Sequence, residues 1–190
     1  GCNVLNMLNT KYVILPLGKG GTVPVVNDEA FGNAWFVDKV RYVGSADEEL
    51  ASLSSKELSE TAFVDAKFKN ELRSVEDISS SDTLRYVRLK AQTANTVSYD
   101  VSTNEDAVVV FSEIFYPGWT CSIDGKNTPI ARANYILRAV YVPAGSKTIE
   151  FEFRPNSINT TEIIAYIATS IIILLAVMLI FNFVRRKRQC

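Results

Sequence analysis

The stretch VVVFSEIFYPGWTCSIDGKNTPIARANYILRAVYVPAGSKTIEFEF, Val108 to Phe153, decides the fold. It is a succession of short apolar runs cut by turn signals, the pattern of an antiparallel β-protein. Val108-Val109-Val110-Phe111 is continuously apolar, as a strand covered on both faces is. After the Pro117-Gly118 break, Trp119, Cys121 and Ile123 alternate with Thr120, Ser122 and Asp124. Asp124-Gly125 predicts a two-residue hairpin, because a type I′ turn needs positive φ at both central positions. A strand is expected near Thr128 to Ala131, and another from Tyr135 to Val142. Pro143-Ala144-Gly145 turns the chain, and Ile149, Phe151 and Phe153 then point away from Glu150, Glu152 and Arg154.

Upstream, Val97, Tyr99 and Val101 alternate with Ser98, Asp100 and Ser102, a half-buried strand. The first half is less regular. Asn3 to Asn9 reads as the tail of a helix, Lys11 to Leu17 as a short strand, Gly18 to Gly21 as a loop, and Ala34 to Val43 as one strand. Ser45 with Glu48 three residues on resembles a capping box, starting a short helix over Asp47 to Leu53. Leu53 to Ser81 is polar, with an edge strand expected over Ala62 to Phe68. The reading is mainly β: an antiparallel, jelly-roll-like β-sandwich with one or two short helices.

Downstream, Ile163 to Val184 reads IIAYIATSIIILLAVMLIFNFV, 22 residues without a formal charge. A helix of that length spans about 33 Å, enough to cross a hydrocarbon core about 30 Å thick. Thr169 and Ser170 interrupt it, but their hydroxyls can bond back to helix carbonyls. Arg185, Arg186, Lys187 and Arg188 follow, and cations flanking a span stay on the cytoplasmic side. The expected organisation is therefore an extracytoplasmic domain over residues 1–160, a single transmembrane helix over 161–184 and a cytoplasmic basic tail over 185–190. The chain opens Gly1-Cys2 with neither initiator Met nor signal peptide, and reads as part of a longer protein.

Composition narrows the chemistry. The 190 residues contain no histidine, which excludes Ser-His-Asp and Cys-His nucleophile systems and imidazole-bound zinc. Cys2, Cys121 and Cys190 have no CxxC spacing, so neither a cluster nor a disulfide framework is expected. Setting the four terminal cations aside leaves 16 basic against 21 acidic residues, a balance of −5. No basic patch for nucleic acid exists in the domain.

Several groups carry more than one reading. Trp35, Phe115, Tyr116 and Trp119 sit in two aromatic-glycine stretches. They suit stacking on sugar faces, placement at a membrane interface, or core packing. Glu113, Asp38 and Asp124 are carboxylates that a glycoside hydrolase would pair, or that a divalent metal would bind, but the spacing fits no metal loop and Asp124 already has a turn role. Arg138 shares a strand face with Ile136, Val140 and Val142 and needs a carboxylate partner, for which Glu113 is the candidate. Arg132 with Arg138 as a phosphate clamp is the rival reading. Cys121 on an apolar strand face reads as a small hydrophobe.

The ordered set NVLNMLNTKYVI (Asn3 to Ile14), GNAWFV (Gly32 to Val37), VFSEIFYPGW (Val110 to Trp119), IDGK (Ile123 to Lys126), RANYILRAVYVPAG (Arg132 to Gly145) and IEFEFRP (Ile149 to Pro155) resembles the C-terminal portion of the YfhO family of bacterial membrane proteins. Cys121 departs from the small or polar residue expected there. The resemblance implies a polytopic protein similar to GT-C glycosyltransferases, which move a sugar from a polyprenyl-phosphate carrier to an acceptor on the outer face of the membrane. Their catalytic carboxylates lie in early loops not matched here, so the resemblance implies no catalytic, cofactor or metal residue in this chain. It implies an accessory domain and last helix in a bacterial inner membrane. The partners it implies are the bilayer, the N-terminal transmembrane part of the same protein, a polyprenyl-phosphate sugar and a cell-envelope glycan. A membrane-anchored carbohydrate-binding module is the alternative.

Overall fold

The structure is a computed structural model that describes residues 3–18, 20–78 and 80–187. Cys2, Arg188 and Cys190 lie outside the described residues. The chain divides into two compact units, Gly1–Phe153 and Arg154–Cys190.

The first unit is an antiparallel sandwich with two small helices. In chain order it comprises α1 (Asn3–Met7), β1 (Tyr12–Leu17), β2 (Gly21–Val26), β3 (Ala34–Val37), β4 (Lys39–Val43), α2 (Ala46–Ser52), β5 (Thr61–Asp65), a 3₁₀ turn (Ala66–Phe68), β6 (Tyr86–Gln92), β7 (Thr96–Ser102), β8 (Ala107–Ile114), β9 (Trp119–Ile123), β10 (Lys126–Thr128), β11 (Ala131–Ala133), β12 (Leu137–Val142) and β13 (Thr148–Phe153). One sheet has the order β10-β9-β13-β7-β6, the other β3-β8-β12-β11-β5-β4, and β1 with β2 forms a separate hairpin.

From β7 onward the chain crosses between the sheets after each strand or hairpin, so each sheet supplies one side of the core. Val97, Tyr99, Val101, Cys121, Ile123, Ile149 and Phe151 face Val109, Phe111, Val140 and Val142. Phe111 lies 4.8 Å from both Tyr99 and Phe151, edge to face, the geometry favoured by ring quadrupoles. The continuous apolar run of β8 is explained by its other face. Val108 and Val110 belong to a second core with Trp35, Val37, Val40, Leu58, Val64 and Leu137.

The Asp124-Gly125 turn has φ of 48° and 76°, and Ile123 pairs with Lys126 across it, which is the expected two-residue hairpin. Ser45 Oγ accepts the Glu48 N–H at 3.2 Å and starts α2, but the Glu48 carboxylate reaches back to Gly44 N–H rather than to Ser45.

Other expectations are corrected. Ala34–Val43 is two strands, because the chain bends at Asp38. β3 and β4 then occupy opposite ends of the six-strand order, so that sheet must curl until its edges approach each other. β5 is not an edge strand: it lies between β11 and β4, and its pairing with β4 is parallel, an exception in otherwise antiparallel sheets. The strand read near Thr128 to Ala131 is split at Pro129 into β10 and β11, which lie in different sheets. β12 begins at Leu137 rather than Tyr135, since Asn134 and Tyr135 both have positive φ. Gly21 closes the expected Gly18 to Gly21 loop and also opens β2, and both β2 and β6 lie in stretches for which no element is expected.

The second unit contains α3 (Asn156–Lys187), 32 residues long. Its segment Thr160–Asn182 has a mean hydropathy of 2.9 and is long and apolar enough to cross a membrane. Thr169 and Ser170 donate to the carbonyls of Ala165 and Tyr166, each at 2.8 Å, so neither hydroxyl is left unpaired in the apolar segment.

Candidate functional site

The β8 sequence changes character after Phe111, from buried aliphatics to Ser112, Glu113 and exposed Ile114. The ladder with β12 changes with it. Phe111 pairs with Arg138, but the next pair is Ile114 with Leu137, so Ser112 and Glu113 have no opposite number. Such a bulge re-aims side chains. Ser112 Oγ comes within 2.9 Å of the Met7 carbonyl and 2.6 Å of the Gly32 carbonyl, fastening α1 to β8. Glu113 takes the ion pair: its Oε2 lies 2.5 Å from Arg138 Nη2.

The Arg138 side chain is only 3% exposed. Its guanidinium carbon is 4.2 Å from the centroid of the Trp119 ring and 4.8 Å from that of Phe151, so two π faces and one carboxylate surround the cation. Burial lowers its pKa and the Glu113 carboxylate opposes that. A guanidinium starts so high that it stays charged. Burial pushes the neighbouring Cys121 thiol up to about 12, only partly offset by Arg138, so the sulfur is neutral and unreactive. Arg138 Nε is buried with no acceptor among the described residues.

Trp119 and Tyr116 border this buried pair on the outside. Trp119 is half-buried and lies 5.2 Å from Phe153, its register partner on β13, while Tyr116 is 61% exposed and 6.3 Å from the same ring. Tyr116, Trp119 and Arg138 contribute to two open clefts. One, of about 480 Å³, adds Thr120, Asn127 and Thr128; the other, of about 630 Å³, adds Asn95, Glu113 and Phe153. Open rings beside hydroxyl, amide and carboxylate groups can bind a polyol or a polar headgroup.

The remaining aromatic candidates are placed differently. Trp35 is 8% exposed and stacks edge-on to Phe31 at 5.1 Å, which leaves its ring no open face. Phe115 is half-buried against Phe68 at 5.4 Å, though it also lines the smaller cleft. Arg132 stands opposite Arg138 in the ladder, but the two cations do not share a ligand. Arg132 pairs with fully buried Glu49 at 2.6 Å, and Glu49 also accepts the Tyr135 N–H at 2.8 Å.

The three carboxylates are dispersed. Asp38 holds Arg85 at 2.6 Å. Asp124 accepts from the backbone of Thr148 at 2.8 Å and of Lys147 at 3.2 Å. Burial would raise the Asp124 carboxyl, but those amide hydrogens prevail and hold it below its ordinary value. Since β9 separates Asp124 from the Trp119 end, Asp124 and Glu113 stand roughly a strand apart, about 13 Å by the rise per residue, too far for a glycosidase pair. Among the described residues no three acidic or cysteine side chains converge on a metal-sized site.

Arg185 is exposed at the end of α3, and Arg186 and Lys187 continue the helix backbone. The features that sequence inspection missed are the two-residue bulge and the contribution of Phe153. The only local signal for the bulge was the polar Ser-Glu pair inside an apolar strand.

A family model described as bacterial membrane protein YfhO matches residues 67–165, somewhat more than half of the chain. No curated protein and no solved structure matches it.

Proposed function

The chain belongs to the YfhO family of bacterial membrane proteins, and from that premise we propose that its β-sandwich is a non-catalytic accessory domain of a larger, polytopic sugar-transfer protein. In this reading α3 is the last spanning helix of that protein, Arg185 to Arg188 face the cytoplasm, and the sandwich stands on the extracytoplasmic side of the inner membrane. The larger protein moves a sugar from a polyprenyl-phosphate donor to a cell-envelope glycan. The domain caps the membrane-embedded part and helps hold the acceptor; no cofactor or metal is assigned to it.

One observation carries this reading: the clefts around Tyr116, Trp119 and Arg138 open at the end of the sandwich where β13 finishes and the chain leaves for α3. In this reading a ligand held there is offered at the end of the domain from which the chain continues into the spanning helix. Glu113, a carboxylate of the cleft, is already bound to Arg138, which supports a binding role over bond cleavage.

The test is transfer of labelled sugar from the polyprenyl-phosphate pool in membranes carrying the full-length protein. Tyr116→Ala, at an exposed position, is expected to raise the acceptor concentration needed for half-maximal transfer while leaving some activity. Unchanged transfer and unchanged acceptor choice after removal of the sandwich would overturn the accessory role. A carbohydrate-binding module is the second reading, favoured by the open Tyr116 ring. Glycan binding by the detergent-solubilised chain, lost in Trp119→Ala without unfolding, together with no effect of the domain on transfer, would select it.

A further inference from the structure

We propose that the β1–β2 hairpin is a second membrane contact, seated in the headgroup and upper acyl region of the bilayer that α3 crosses. This rests on the membrane placement of the chain and not on the sugar-transfer reading.

The hairpin lacks the burial pattern of a soluble β-ribbon. Apart from half-buried Val13, all residues of both strands are exposed, including Ile14 at 69%, Leu17 at 53% and Val26 at 53%. In water one face of such a ribbon is polar, yet Tyr12-Val13-Ile14-Leu15-Pro16-Leu17 and Val23-Pro24-Val25-Val26 are apolar on both. An exposed apolar surface of this kind marks a contact.

Three further observations select lipid as the occupant. The first is charge: between Thr10 and Asn27 the sequence has no acidic residue and two lysines, Lys11 and Lys19, in a chain whose remainder before the terminal cations is net acidic. Lys11 lies 5.8 Å from the centroid of the Tyr12 ring. A cation beside a Tyr at the base of an apolar element suits anionic headgroups. The second is the backbone. Pro16 and Pro24 put one residue without an N–H in each strand, which lowers the number of donors left without partners in an apolar medium and blocks strand addition by another protein.

The third is position. The root of the hairpin is pinned: Asn27 Nδ2 donates to Asn6 Oδ1 and to the Thr10 carbonyl, each at 2.9 Å, and Asn27 N–H donates to the Lys11 carbonyl at 2.9 Å. α1 is in turn held by Ser112, next to Glu113 and hence to the Arg138–Trp119–Phe153 cluster. The hairpin therefore springs from the end of the sandwich at which β13 finishes, with only Arg154 and Pro155 before α3.

The experiment uses the full chain with Cys2→Ser and Cys190→Ser, in nanodiscs of phosphatidylcholine and phosphatidylglycerol at 3:1. Ile14→Cys carries an environment-sensitive NBD label, and Ala144→Cys, at the opposite end of the sandwich, is the control. Lipid contact gives the Ile14 label a blue-shifted emission that brominated phosphatidylcholine quenches, and leaves the Ala144 label water-like and unquenched. A water-like, unquenched Ile14 label in a folded chain overturns the proposal. So does a blue shift that brominated lipid fails to quench: a second copy covers the hairpin if it depends on copies per disc, a fold onto the chain itself if it does not.

Discussion

The two ends of the sandwich differ in how they finish the same strands. At one end, where β8 begins and β12 ends, turns are closed by carboxylates: Asp106 accepts from the Tyr141 hydroxyl and the Ala144 N–H, and Asp124 accepts from Thr148 and Lys147. At the other end a carboxylate, Glu113, is turned inward onto a buried arginine. Open rings and an apolar hairpin occupy the outside. One end satisfies its polar groups by itself and is suited to water. The other leaves apolar and aromatic surface uncovered, as a membrane-facing or ligand-facing end does. The contrast supports the proposed binding at the end where β13 finishes.

The comparison can be broken most forcefully through the core that joins the ends. Phe111→Ala removes the ring contacted by both Tyr99 and Phe151, and is expected to cost about 3–5 kcal/mol in the detergent-solubilised chain. A loss under 1 kcal/mol in thermal or denaturant unfolding would mean that the sheets do not share that core. Glu113→Ala strands the Arg138 charge and is expected to cost about 3 kcal/mol, the low end for a broken buried pair because Glu113 is itself a quarter exposed. Replacing both partners together, as Glu113→Leu with Arg138→Met, should recover much of that loss. No recovery would make the pair more than a satisfied charge.

The end closed by Asp106 and Asp124 is tested by acid. The carboxyls of Asp106 and Asp124 are held low in the folded state, Asp106 first by the Tyr141 hydroxyl and Asp124 by backbone amides that outweigh its burial. Their stabilisation is therefore complete above the unfolded value, about 3.9, and is lost as pH falls through the lower folded values. Unfolding followed from pH 6 downward should show stability declining below about pH 4. Asp106→Asn with Asp124→Asn should flatten that decline while being less stable near neutrality. An unchanged slope would remove both residues from the linkage. The smallest effect is expected at the other end: Tyr116→Ala should alter stability by under about 0.5 kcal/mol, since the ring is mostly in solvent. A larger loss would make Tyr116 part of the fold and weaken its claim to a ligand.

Much of the fold is readable because period and punctuation coincide. Val97 to Val101 alternate and are buried on alternate residues, and Asp124-Gly125 carries the positive φ values that its turn requires. Reading fails where one residue decides between sheets. Asp38 divides what looks like a single apolar strand, and nothing local says that its halves go to opposite edges. The candidate site is legible only as residue types. Trp35 and Trp119 sit in similar aromatic-glycine contexts, yet one ends in the core and the other beside an open cleft, because β3 is covered by the second core and β9 is not.

By itself, then, the order of residues determined the alternating strands, their turns, the apolar helix of α3 and the inward pull on Arg138. All of these follow from local geometry and from the cost of leaving apolar or charged groups in the wrong solvent. Which carboxylate meets which arginine, the bulge that turns Glu113 inward, and the gathering of hairpin root, Trp119 and Phe153 at one end were decided only in three dimensions. They depend on contacts between strands far apart in the chain, whose pairing no short window of sequence contains.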